Sequence, residues 1–169
     1  ATLSISLSVA WAQSDDPVEN PRVLMKTTDG DITIELFADK SPITVENFLR
    51  YVDDGHYDGT VFHRVISNFM IQGGGFDAEL KEKPTRDPIV NESKNKLHNT
   101  RGTLAMARTS DPDSAAAQFF INQRSNLRLD WAGGKDGYTV FGEVIDGMQI
   151  VDIISLADTG TAQAQTARG

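Results

Sequence analysis

Polar and apolar positions along this 169-residue chain change period twice, and each change marks a boundary between elements. Residues 23–28 and 31–36 are β-prone runs. In the second, Ile32, Ile34 and Leu36 alternate with Thr33 and Glu35, which predicts a strand with one buried and one wet face. Asp29-Gly30 joins the runs and is the dipeptide suited to a two-residue hairpin turn, whose central residues take positive φ. The period then lengthens: Val45, Phe48, Leu49 and Val52 recur at helical spacing until Gly55 stops them. Ser41 offers a capping hydroxyl and Pro42 a pre-set first helical position. From residue 60 to about 144, short apolar runs (61–66, 69–72, 102–107, 118–122 and 138–144) alternate with Gly, Pro, Asp and Asn. Such a pattern predicts a mainly β fold, a closed or nearly closed antiparallel sheet. A second helix is predicted over 148–156, with Asp146 near its start and Val151 and Ile154 among its buried positions. Residues 158–169, rich in Ala, Thr, Gln and Gly, read as loop, and the chain carries no internal repeat or linker.

Length and charge narrow the class. A chain this long can bury one sizeable core but is short for two, so a single domain over 22–169 is expected, and a monomer. The formal charge of −8 argues against nucleic acid as a partner, because phosphate recognition needs clustered basic residues. Absence of cysteine removes disulfides, thiolate nucleophiles and Cys-ligated metals together. Residues 1–12 are uncharged and mostly apolar or small, and Ala10-Trp11-Ala12 fits a small-x-small cleavage site before Gln13. This stretch is too short to span a bilayer and reads as the remnant of a signal peptide, followed by a flexible segment over 13–21. Export to the periplasm is the expectation, without membrane insertion.

Familiar catalytic patterns are missing. His56, His63 and His98 are the only imidazoles and have no metal-ligand spacing; neither a metal nor an organic cofactor is expected. Gly73-Gly74-Gly75 lacks the lysine of a phosphate loop and is better read as a strand end or bulge. What stands out instead is three runs: FHRVISNFMIQGGGF (62–76), GTLAMAR (102–108) and AAAQFFIN (115–122). In order and spacing they resemble the signature segments of the cyclophilin-type peptidyl-prolyl cis/trans isomerases. The resemblance extends to the Asp29-Gly30 hairpin, the helix containing Thr44-Val45-Glu46-Asn47-Phe48, and Val140 to Val144 with Asp146-Gly147-Met148, about residues 22–157 in all.

The resemblance implies an eight-stranded antiparallel barrel with two capping helices and an enzyme that rotates X-Pro bonds in flexible or unfolded proteins. It implies Arg64 as the catalytic arginine, Gln72 as its hydrogen-bonding neighbour, and Phe69, Met70 and Phe120 as walls of the proline pocket. It further implies that Ala107 and the backbone around Arg108 lie under the substrate, that Gln118 contacts its main chain, and that Leu129 closes the pocket, with Tyr138 where many members have histidine. Phe62 and Phe119 are expected in the core, and His63 is expected to be structural, since proline isomerisation needs no proton abstraction. The rival reading is a noncatalytic module or chaperone that holds proline-containing segments in the same pocket.

Two departures from the family pattern stand out. Arg128 occupies the position where the family often has tryptophan, with Trp131 three residues on; the resemblance ties that aromatic to cyclosporin, so weak cyclosporin binding is expected. The last strand of the family barrel has no counterpart after residue 157, so residues 23–28 are expected to form an exposed edge of a C-terminally truncated domain.

Overall fold

The structure, a computed structural model, describes residues 19–162; the expected signal segment and the ends of the chain lie outside them. Alternation builds the first hairpin as expected: β1 (Arg22–Thr27) pairs antiparallel with β2 (Gly30–Leu36), and Ile32, Ile34 and Leu36 are fully buried. The turn differs by one residue. Thr27 pairs with Gly30, so Thr28 and Asp29 form the bend, neither with positive φ, and Gly30 at φ 139° already belongs to β2. The Thr27 hydroxyl explains this, since it accepts the Asp29 N–H (3.2 Å) and donates to the Gly30 carbonyl (2.7 Å). A side chain at Gly30 would meet Ile150 Cδ1 at 2.6 Å, so the glycine serves packing there.

Helix α1 (Pro42–Asp53) buries Val45, Phe48 and Tyr51, half-buries Leu49 and Val52, and is followed by Gly55 at φ 66°. Its cap is not the expected one. The Ser41 hydroxyl donates instead to the Val140 carbonyl (2.8 Å), and the free amides of Ile43 and Thr44 bond the Glu92 carboxylate at 3.2 and 2.9 Å. A carboxylate there satisfies orphan donors and faces the positive end of the helix dipole, as a local cap would.

Five further strands follow: β3 (Arg64–Ile66), β4 (Met70–Gly73), β5 (Thr103–Met106), β6 (Phe119–Asn122) and β7 (Val140–Asp146). Only the end of the run 61–66 joins the ladder, because Thr60 and Val61 pair instead with Asp77 and Phe76. Asp146 closes β7, and Gly147 at φ 89° caps α2 (Met148–Ser155), where a Cβ would stand 2.3 Å from the Asp31 carbonyl. The sheet is antiparallel in the order β1-β2-β7-β5-β6-β4-β3. Among the described residues it has seven of the eight strands of the expected barrel, and its curl brings residues of both end strands, Met25 of β1 and Val65 of β3, into one apolar cleft of about 510 Å³. Ile34, Phe48, Ile71, Leu104, Phe119, Phe141 and Val151 fill the interior, and Phe48 meets the Phe119 ring edge-on at 5.5 Å.

Candidate active site

Period-two alternation divides each strand between the core and a second, outward site. Val65, Ile71, Leu104 and Ile121 point into the core, so their neighbours point away. Register aligns those neighbours: Arg64 of β3 stands opposite Gln72 of β4, Gln72 opposite Phe120 of β6, and Phe120 opposite Ala105 of β5. One row across four strands thus reads guanidinium, amide, phenyl, methyl. Above it lies a cleft of about 270 Å³ lined by Arg64, Phe69, Met70, Gln72, Ala107, Arg108, Phe120, Leu129 and Tyr138. Of the site residues expected from sequence, only Gln118 is outside this lining. It faces an adjoining cleft of about 660 Å³ and accepts a hydrogen bond from Gln72 Nε2 at 3.0 Å.

The floor is buried and apolar, the mouth polar. Met70 and Phe120 are buried and pack with Ala105 and Val140 in a second apolar cluster, while Phe120 meets the Tyr138 ring edge-on at 5.7 Å. Arg64 is exposed, and its Nη1 donates to Gln72 Oε1 at 3.4 Å, so the three side chains Arg64, Gln72 and Gln118 form a bonded line along the rim. Arg108 also contributes through its side chain. The guanidinium lies 4.5 Å from the Tyr138 ring centre and donates to the carbonyls of Thr109, Asp136 and Gly137, holding the wall that carries Tyr138. His63 is half-buried, edge-on to Phe76 at 4.6 Å, and burial pushes its imidazole below the ordinary value.

The triple glycine ends β4 and makes room for this line. A Cβ at Gly75 would lie 2.5 Å from Gln118 Nε2. Gly75→Ala should displace Gln118 from Gln72 and lower kcat/KM for proline peptides by about tenfold, the worth of one hydrogen bond at the upper end of its range. Unchanged kcat/KM in a folded variant would remove Gln118 from the site.

Sequence reasoning missed the support beneath the cleft. Asn99, Asn122 and Asn126 are buried and joined: Asn126 Nδ2 donates to Asn122 Oδ1 (2.8 Å) and to the Phe69 carbonyl (2.9 Å), and Asn122 Nδ2 donates to Asn99 Oδ1 (3.1 Å). Asp130 Oδ1 accepts from the Asn99 amide (2.7 Å) and from its Nδ2 (2.9 Å). A polar residue closing the apolar run FFIN was the available signal. Arg128, in the 3₁₀ turn Leu127–Leu129, lies with its guanidinium 4.9 Å from the Phe69 ring centre, whereas Trp131 is exposed and outside the cleft lining, so it does not replace the missing aromatic.

Comparison with known proteins identifies the family and the fold. Residues 22–168 match the family described as cyclophilin type peptidyl-prolyl cis-trans isomerase/CLD. A peptidyl-prolyl cis-trans isomerase of Acinetobacter baylyi is 57% identical over 142 residues, covering 84% of this chain and 76% of the relative. Peptidyl-prolyl cis-trans isomerase B of Escherichia coli is 55% identical over 141 residues, 82% of this chain and 86% of that one. Among solved structures, a Cryptosporidium parvum cyclophilin type isomerase crystallised in the presence of the dipeptide Ala-Pro superposes with a TM-score of 0.71 at 28% identity, covering 86% of this chain and 91% of that one. With most of the motif residues gathered around one cleft and relatives of this identity along most of its length, the chain belongs to the cyclophilin-type peptidyl-prolyl cis-trans isomerase family.

Proposed function

We propose that Arg64 is the catalytic residue, donating a hydrogen bond to the prolyl nitrogen as the X-Pro bond twists, while Phe69, Met70 and Phe120 hold the pyrrolidine ring. In this reading Gln72 steadies Arg64, and Gln118, Ala107 and the Arg108 segment hold the substrate main chain. The observation that carries it is the register row that sets Arg64 and Gln72 beside Phe120. Leu129 and Tyr138 close the far wall. Cis/trans exchange of a short Ala-Pro peptide, read by exchange NMR, tests the assignment: Met70 and Phe120 resonances should shift on binding as exchange accelerates. Acceleration with shifts confined to another surface would overturn it.

The clients we assign are flexible, exported proteins whose folding waits on slow prolines, with residues 1–12 the remnant of a signal peptide for export to the periplasm. Support comes from that uncharged, small-residue stretch and from an open cleft with walls for one ring. Appearance of the expressed protein in the cytoplasmic fraction alone would refute the export assignment. Weak cyclosporin binding follows from Arg128 at the family's aromatic position; an inhibition constant in the nanomolar range would refute it.

A further inference from the structure

Charge around the cleft runs against charge over the chain. Acidic residues outnumber Lys and Arg by 24 to 16 overall. Yet the proline cleft and the adjoining cleft of about 740 Å³, which share Arg108, Leu129 and Tyr138, are lined by Arg64, Arg108, Arg128 and Lys135 against only Asp130 and Asp136. Asp130 is already engaged, one oxygen by Asn99 and the other by His98 at 2.8 Å, with its side chain 11% exposed. Arg108 is fixed by three backbone carbonyls and the Tyr138 ring.

Arg128 is different. Its guanidinium carbon lies 4.9 Å from the Phe69 ring centre, and among the described residues no acceptor takes a hydrogen bond from it and no carboxylate forms an ion pair with it. An unpaired guanidinium fork beside the Phe69 wall suits an anionic group, and among the ordinary side chains of a peptide that group is a carboxylate. At about 3.3–3.6 Å per residue, an extended peptide anchored by its proline carries side chains past Phe69 within two residues.

We propose that Arg128 is a specificity-determining residue that favours substrates bearing Glu or Asp within two residues of the proline. The proposal rests on the reading of the 270 Å³ cleft as the proline site. Because Arg128 is exposed, its interaction is worth what surface ion pairs are worth, about a three- to fivefold preference, and salt weakens it.

The test uses capped Ala-Ala-Ala-Pro-Ala-Ala-Ala peptides with Glu or Gln at each of the two positions before and the two after proline. KM is read by exchange NMR and Kd by titration on the full chain. At low ionic strength Glu should bind about three- to fivefold more tightly than Gln at one or more positions, and the ratio should fall toward one in ~1 M salt, where the Debye length is about 3 Å. Arg128→Gln should remove the ratio and Arg128→Lys should keep part of it. A ratio taken within each variant cancels any general damage to the Phe69 wall, which a merely structural role would produce equally for both peptides. No Glu preference at any position, or a preference that survives in Arg128→Gln, overturns the proposal. Accelerated exchange without the ratio defeats this inference alone, whereas a Kd ratio without acceleration supports it and defeats the catalytic reading.

Discussion

Arg64→Ala should lower kcat/KM for an Ala-Pro peptide by ~10²–10³-fold, the usual effect of deleting one donor that acts in the transition state. The argument begins with the bond. Donation of the nitrogen lone pair to the carbonyl gives the peptide C–N bond its double-bond character and a barrier of about 18–20 kcal/mol. Twisting localises that pair on nitrogen, where it becomes a hydrogen-bond acceptor for the first time. A guanidinium aimed at it stabilises the twisted state more than the planar one, and only that difference accelerates the step. A ~10⁵-fold acceleration needs about 7 kcal/mol, of which, on the proposed reading, the donor would supply about half and the apolar clamp on the ring the remainder. Arg64 is exposed, so its removal should leave the fold and melting temperature nearly unchanged. Binding should change less than turnover, because Met70 and Phe120 form the floor independently. Arg64→Lys should recover only part of the rate, since an ammonium lacks the planar fork. Exchange NMR on the three proteins decides it: a loss below tenfold in Arg64→Ala would mean that the pocket catalyses without its arginine.

Local chemistry was legible in the sequence wherever one run of residues determined the outcome. The alternation through Ile32, Ile34 and Leu36 gave β2, and the spacing of Val45, Phe48 and Val52 gave α1, because burial on one face is a property of a single element. The row of Arg64, Gln72 and Phe120 was less accessible. Each lies at an outward position of its own strand, but that they meet depends on the β3–β4–β6 register, and the resemblance supplied what periodicity could not. Long-range polar bonding was not legible at all. Ser41 looked like a cap and bonds Val140, 99 positions away, while the cap comes from Glu92. The hairpin turn moved by one residue for a smaller reason, the Thr27 hydroxyl. For Ser41 the sequence displays only the nearer of two possible partners, whereas for Thr27 both partners are near and the dipeptide Asp29-Gly30 outweighed them in the reading.

The same blindness hid a buried polar group whose loss should cost substantial stability. Asp130→Ala removes the acceptor of two donors on Asn99, which is wholly buried and whose carbonyl takes the Asn126 amide at 2.7 Å. Each buried donor left unpaired costs about 1–3 kcal/mol, and some of this is recovered where Asn99 Nδ2 still reaches the Tyr138 carbonyl at 3.4 Å. A net loss of about 3 kcal/mol should lower the melting temperature by roughly 6–12 °C in a domain of this size. The pocket should loosen with it, because the wall residues Leu129 and Tyr138 are bonded to each other at 2.8 Å and flank Asp130; KM should rise more than kcat falls. The pH dependence has a definite sign. Burial pushes the Asp130 carboxyl up, but hydrogen bonds from Asn99 and His98 outweigh it and hold the group below the ordinary carboxylate value. A carboxyl depressed by folding contributes stability above its unfolded pKa of about 3.9, and that contribution disappears as pH falls through the lower folded value. Acidification below about pH 4 should therefore cost the parent more stability than Asp130→Ala, and the two melting curves should converge. Melting followed from pH 7 to pH 2 checks this: a variant within about 1 °C of the parent at neutral pH would mean that solvent replaces Asp130 at no cost, and that the asparagine ladder holds the proline pocket without it.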